Sequence, residues 1–337
     1  MTDFLDLRRR SFMAALPATG LAAGIAFGPA VGQAQPAGDK YPSRPIRIVL
    51  GSSPGSSTDT ISRLIGEQLM AAWGQPTVVD NRVGAGGTIG YDYVAKAPPD
   101  GYTVLVAITS LIQSISLYPN LPYDVFRDLA PVTEIARSTS VLLITTSLPA
   151  KTLAEFVALA KASPGKYTYG SFGAGTSPNL HGELLKMRAD IDITHVPYKG
   201  AAPAIAALLK GEVSAAFIDI GSARPHLASG QVRPLGVTGT KRFDFLPDVL
   251  TMGEQGYVGF EPYGWFGMFV PAKTPADIIA RLSTETRRIL REPAIVARFN
   301  EMGLTPLGST PEEFAAALRV DAPIWAEIVK KANMKLE

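Results

Sequence analysis

Two short segments carry residue types suited to holding an anion. The first, Gly51-Ser52-Ser53-Pro54-Gly55-Ser56-Ser57-Thr58-Asp59, follows the apolar run Ile46 to Leu50. The second, Ser171-Phe172-Gly173-Ala174-Gly175-Thr176-Ser177-Pro178, closes the run Tyr167 to Phe172. In each, small residues let the backbone approach a ligand, hydroxyls offer hydrogen bonds, and the helix expected next presents free N–H groups with the positive end of its dipole. Either segment alone also reads as a glycine turn with a Ser or Thr cap. Two of them, one in each half of the chain, point to a cleft with an anion between matching turns.

The first segment raises a second chemistry. Gly51-Ser52-Ser53-Pro54-Gly55 satisfies Gly-x-Ser-x-Gly, the turn that presents a hydrolase's nucleophilic serine. Such a turn uses the N–H of the residue after the serine as an oxyanion donor, and Pro54 has none. His181, His195 and His226 show neither a triad order nor metal-ligand spacing, and the chain has no cysteine, so catalysis and a zinc site are both disfavoured. Lys199, beside Gly200, reads as a solvated turn residue. Trp265, Phe266 and Phe269 read as the buried face of a strand rather than a stacking platform.

The elements that must position these turns alternate in the manner of βα units. Strands are expected at Ile46–Leu50, Thr77–Asn81 and Tyr102–Ile108, with helices at Thr58–Trp73 and Thr88–Ala97 between them. The rhythm restarts after Leu129–Ile144. Helix Leu153–Ala162, strand Tyr167–Phe172, helix Ser177–Arg188, strand Ile193–Val196, helix Ala201–Lys210 and strand Val213–Asp219 follow. The last third is mainly helical: Pro275 to Arg291, Ala294 to Met302 and Pro311 to Ala332, with Pro275 and Pro311 each expected at a first helical position. The fold class is α/β, with two doubly wound lobes. Returning the C-terminal helices to the first lobe makes the chain cross twice, near Val132–Val141 and Phe260–Phe266, and two crossings make a hinge. The expected division is 35–138 plus 263–337 for lobe 1 and 139–262 for lobe 2. A separate helical cap is the alternative for the C-terminal helices.

Arg8, Arg9 and Arg10 precede an uncharged stretch from Ser11 to Gln35 rich in Ala, Gly, Leu, Ile and Phe, the layout of a leader peptide. Arg9-Arg10-Ser11-Phe12-Met13 resembles the twin-arginine export signal, and Gly32-Gln33-Ala34 offers cleavage after Ala34. Pro17, Thr19, Pro29 and several glycines weaken the same stretch as a membrane anchor. Removing residues 1–34 takes away three arginines with Asp3 and Asp6, leaving a chain near neutrality. That excludes an obvious attraction to nucleic acid or an anionic bilayer. The whole chain is 46% hydrophobic, and the part beyond residue 34 is long enough to bury the cores of two domains.

Tyr41-Pro42-Ser43-Arg44-Pro45-Ile46-Arg47-Ile48, Gly84-Ala85-Gly86-Gly87-Thr88-Ile89-Gly90, Ala97-Pro98-Pro99-Asp100-Gly101-Tyr102-Thr103 and Leu121-Pro122-Tyr123-Asp124 resemble the tripartite tricarboxylate transporter receptors, the Bug family. So do Gly173 to Pro178, His195-Val196-Pro197-Tyr198-Lys199-Gly200, Leu246-Pro247-Asp248-Val249 and Trp265-Phe266-Gly267. The resemblance runs in one order from Tyr41 to the C-terminus. It implies a fold like that of type II periplasmic binding proteins, and a solute receptor that needs no cofactor. Such a receptor delivers a small carboxylate to a two-component inner-membrane permease, or alternatively reports it to a sensor. It also implies ligand contacts at Ser53, Gly55, Ser56, Ser57, Thr58 and Asp59 and at Gly173, Gly175, Thr176 and Ser177, largely through backbone N–H groups. Asp219 matches an acidic position of the family pattern and is expected either at the ligand's far end or as the cap of the turn before Ser222. The chain departs from the pattern where serines replace a run of glycines in the first turn, and at Tyr263-Gly264.

Overall fold

The computed structural model describes residues 41–334. The expected leader, with its arginines and its cleavage after Ala34, lies outside the described residues. β1 (Ile46–Leu50), β2 (Thr77–Asn81) and β3 (Thr103–Ile108) are parallel with β1 in the middle, and α1 (Ser57–Trp73) and α2 (Thr88–Ala95) make the crossovers. Ile61, Ile65 and Leu69 recur at helical spacing along α1 and are fully buried, each supplying roughly 2 kcal/mol of apolar burial. Ser56 caps the helix and Gly74, in the left-handed region, ends it.

After α3 (Ser110–Leu117) and α4 (Val125–Asp128), the chain enters β4 (Leu129–Ser138) and, past Thr139, β5 (Ser140–Thr145). A second set follows: α5 (Leu153–Ala162), β6 (Tyr167–Ser171), α6 (Ser177–Ala189), β7 (Ile193–Pro197), α7 (Ala201–Lys210), β8 (Ala215–Asp219), α8 (Ile220–Ala228) and β9 (Val232–Val237). The last part is β10 (Gly264–Pro271), α9 (Ala276–Ile289), α10 (Pro293–Glu301), β11 (Leu304–Pro306) and α11 (Pro311–Lys331). Proline opens α11 at its first turn, as expected. Pro275 instead lies just outside α9, because its extended ψ of 139° makes it the cap.

The strands form a six-stranded sheet in the order β11-β4-β10-β3-β1-β2 and a five-stranded sheet in the order β7-β6-β8-β5-β9. β1 and β6 hold the same topological place. Each is the centre of a parallel trio, and each trio is extended by an antiparallel strand, β10 or β5. The chain leaves a central strand for one side and returns on the other, which opens a crevice at that strand's carboxyl end. Both hydroxyl-rich turns therefore sit where an open α/β sheet binds ligands.

The chain passes between sheets at Thr139 and again between Val237 and Gly264. The two crossings are neighbours: Gly264 pairs with Ser138, the Ser140 N–H donates to Thr238 Oγ1 at 3.0 Å, and the Thr238 N–H donates to the Ser140 carbonyl at 2.9 Å. A linkage this narrow is where two lobes can rotate. β10 lies between β3 and β4, so Trp265, Phe266 and Phe269 are buried, and Trp265 and Phe269 pack with Phe314 at ring separations of 5.3 and 5.2 Å.

α9 and α11 pack on β4, returning the C-terminal helices to the first sheet. α11 also reaches α6, where Trp325 lies 5.4 Å from the His181 ring in a cluster with Phe217 and Phe260. Periodicity gives no sign of this second contact, because it depends on which helix α11 meets. Among the described residues, no helix is long and apolar enough to cross a membrane.

Candidate functional site

The turn after β1 is held by one carboxylate. Asp59, third residue of α1 and 4% exposed, accepts the Gly55 N–H at 3.0 Å, two Arg63 nitrogens at 3.0 and 2.9 Å, and Asn81 Nδ2 at 3.1 Å. Asn81, at the end of β2, also donates to the Ser52 carbonyl. Arg63's hydrogen bond, aided by Gly55 and Asn81 and opposed by burial, brings the Asp59 carboxyl down to about 2. Gly51 lies so close to the neighbouring Gly84-to-Gly87 turn that a Cβ on it would fall 2.5 Å from the Gly87 Cα, which only glycine permits.

The turn after β6 repeats this plan without charge. Asn179, third residue of α6, accepts the Gly175 N–H at 3.0 Å, and Gly175 has a φ of 75°. Asn179 Nδ2 donates to the Tyr169 hydroxyl at 2.9 Å, and that hydroxyl lies 2.6 Å from Glu183 Oε1. Gly182 makes room for the Tyr169 ring, since a Cβ there would come within 2.0 Å of it. Thr176 Oγ1 and Ser171 Oγ both reach the Gly173 carbonyl, at 2.7 and 3.2 Å.

The expected binding residues divide accordingly. The N–H groups of Gly55, Gly173 and Gly175 are spent inside their own turns, on Asp59, Ser171 and Asn179. Among the described residues, the N–H groups of Ser57 and Thr58 in α1, and of Ser177 and Asn179 in α6, have no acceptor. Asp59 serves as a brace, and Ser56 Oγ receives the Asp59 N–H at 3.3 Å. Ser53, Gly55 and Ser57 are exposed, Thr58 is buried, and Thr176 and Ser177 are half-buried. Asn179 escaped the sequence reading. Its signal was available: Gly175-x-x-x-Asn179 repeats the spacing of Gly55-x-x-x-Asp59.

Asp219 takes the capping role, with Oδ1 accepting the Ser222 N–H at 2.8 Å, and burial pushes its carboxyl up against the lowering effect of Ser222. Lys199 is exposed and has no ion pair among the described residues. None of the three histidines bonds Ser52 or Ser53. The hydroxyl paired with a histidine is Ser171, buried at the end of β6 and 2.7 Å from His195 Nε2. The lobes meet at the second turn, where Gln113 of α3 donates through Nε2 to Ser177 Oγ at 2.9 Å. Gln113 is fully buried and its Oε1 has no partner among the described residues.

Two α/β lobes on a double crossing, each with an uncapped stretch of helix N-terminus at its switch point, define a two-lobed binding-protein architecture. Residues 61–334 match the model of the tripartite tricarboxylate transporter family receptors, and the chain belongs to that family. It is 36% identical to BugT of Bordetella pertussis over 89% of this chain and 92% of that protein. Among solved structures it resembles an R. palustris protein with adipate (33% identity, TM-score 0.78, 88% of this chain and 100% of that one). It also resembles MatC of Rhodopseudomonas palustris with bound malate (30% identity, TM-score 0.74, 86% and 100%).

Proposed function

We propose that this chain is an exported periplasmic receptor that closes lobe 1 (35–138 plus 263–337) and lobe 2 (139–262) around a small carboxylate and passes it, unchanged, to a two-component inner-membrane permease. The observation that carries this reading is the matched pair of turns: each leaves helix N-terminal N–H groups open at the switch point of its own sheet. Ser57, Thr58, Ser177 and Asn179 offer the N–H donors, while Gly55, Gly173, Gly175, Thr176 and Asp59 hold the turns in shape, with Ser53 and Ser56 at the rim. The adipate and malate on the two R. palustris relatives support a carboxylate with a second polar end.

Binding works by population shift. An open form presents half a site in each lobe, and an anion touching both turns gains contacts only on closure, so it favours the closed form by that difference. The test is a thermal-shift screen of the processed chain, from Gln35 onward, against mono-, di- and tricarboxylates, acidic amino acids and aromatic acids. A rise in melting temperature with one acid and no turnover supports the reading through mass action. No shift with any acid, together with no carboxylate released from the denatured protein in mass spectrometry, overturns it.

A further inference from the structure

Ser171 Oγ owns one proton and lies within hydrogen-bonding reach of three groups. The Gly173 N–H donates to it at 3.1 Å, the Gly173 carbonyl is 3.2 Å away, and His195 Nε2 is 2.7 Å away. With a bare Nε2, the hydroxyl proton goes to the imidazole, the nearer acceptor. With a protonated Nε2, the imidazolium donates into Oγ, and the hydroxyl proton turns to the Gly173 carbonyl. That carbonyl already accepts Thr176 Oγ1 at 2.7 Å and, more weakly, the Thr176 N–H at 3.4 Å, so protonation adds a third donor to the atom that closes the Gly173-to-Thr176 turn.

The imidazole is placed for this role. It stacks on Tyr169 at 4.9 Å, opposite it in the β6–β7 register, and is half-buried, so it is held in position and still exchanges protons with water. Of the elements packed on it, α6 brings Glu183 and Lys186, paired with each other at 3.0 Å, and β6 brings the Tyr169 phenol, bonded to Glu183. Because Glu183 and Lys186 largely cancel, a charge gained by His195 acts on the turn in front of it.

We propose that His195 is a positioning residue and proton switch for the Gly173-to-Ser177 turn: protonated, it tightens the turn through Ser171 and places a positive charge behind it, so carboxylate affinity rises on acidification. The ligand half of this inference rests on the carboxylate-receptor reading. An anion that favours the imidazolium binds tightest below the titration and loses affinity as pH rises through it. Burial of the ring, opposed by Glu183 and aided by Lys186, sets that window below the ordinary 6.5.

Two measurements on the processed chain test this. Ring-nitrogen NMR without ligand should show neutral His195 with its proton on Nδ1 and a titration that moves in Ser171→Ala. A proton on Nε2, or an unmoved titration, overturns the relay. Calorimetry with L-malate and with adipate between pH 8 and 5.5 should show affinity rising toward acid, approaching about threefold as the ring becomes fully protonated, as for a unit charge roughly 6 Å away under near-solvent screening. This rise should be absent in His195→Gln, with Tm confirming that the variant folds. Equal slopes in wild type and His195→Gln overturn the proposal. If no carboxylate binds at any pH, the affinity claim falls with the receptor reading, and the ligand-free NMR result shows whether the relay fell too.

Discussion

The turn after β1 and the turn after β6 follow one plan and differ in two places: the brace, and the hydroxyl before the helix, since Ser56 Oγ accepts the Asp59 N–H while Thr176 Oγ1 donates to the Gly173 carbonyl. Gly55, Ser56 and Asp59 in the first correspond to Gly175, Thr176 and Asn179 in the second, with the same glycine N–H bonded to the same side-chain position. Asp59 is charged and needs Arg63, whose side chain is 52% exposed, so the first turn depends on a partner at the surface. Asn179 is neutral and leans on the buried Tyr169 phenol, and through it on the half-buried Glu183, itself paired with Lys186. One geometry can thus be braced by a carboxylate directly, or by an amide with the nearest carboxylate one hydroxyl further away. The second turn's brace is accordingly the more buried in its immediate contacts.

The largest test of that contrast uses acid. Two residues beyond the brace, α1 has Ile61 and α6 has His181; both are fully buried, and neither His181 nitrogen has a partner among the described residues. Burial lowers the His181 pKa to about 3. Because the unfolded chain takes up the proton first, stability is unaffected above about 6.5 and falls by about 1.4 kcal/mol per pH unit from His181 alone as pH drops from about 6.5 toward 3. Urea titrations at several pH values should show this component vanish in His181→Phe.

Exchanging the braces comes next. Asn179→Asp sets a second carboxylate beside the Tyr169 and Glu183 network and should cost about 2–4 kcal/mol in chemical denaturation at neutral pH, with loss of anion binding. Asp59→Asn should cost about 1 kcal/mol or less, because Arg63 is exposed. The Asp59 contribution is present above pH 3.8 and lost as pH falls toward about 2, so the cost should disappear in strong acid.

The two left-handed glycines separate the turns again. Gly175 (φ 75°) is buried, whereas Gly55 (φ 78°) has open space where a Cβ would go. Valine at 175 should abolish ligand binding in calorimetry and cost about 2–3 kcal/mol. At 55, only the roughly 1–2 kcal/mol of left-handed strain remains.

The two serines that open the helices separate the turns last. Ser177→Ala leaves the buried Gln113 amide without its one partner among the described residues and should cost about 1–2 kcal/mol, most of it recovered in Ser177→Ala with Gln113→Leu. Ser57→Ala, the matching exposed serine, should change stability by less than about 0.5 kcal/mol. A double-mutant cycle by chemical denaturation reads both.

The β1–α1 and β6–α6 units were legible because apolar runs, glycine turns and caps are local: Ile46–Leu50, Ser56 and Thr176 act on their immediate neighbours. α3, α8 and β9 escaped because short amphipathic stretches such as Ser110–Leu117 give too few turns for a period to show. A glycine N–H looks free in sequence until the side chain four residues on, Asp59 or Asn179, is seen to take it.

By itself, the sequence determined the α/β class, the two turns and the family, since these rest on local periodicity, turn chemistry and a long ordered set of motifs. Tertiary structure alone decided which donors stay open, that Asp219 caps a helix, that His195 backs Ser171, and that Trp325 reaches His181. Those outcomes depend on strand register and helix packing between residues distant in the chain. A hydrogen bond a few tenths of an ångström from its limit is fixed there and has no trace in local composition.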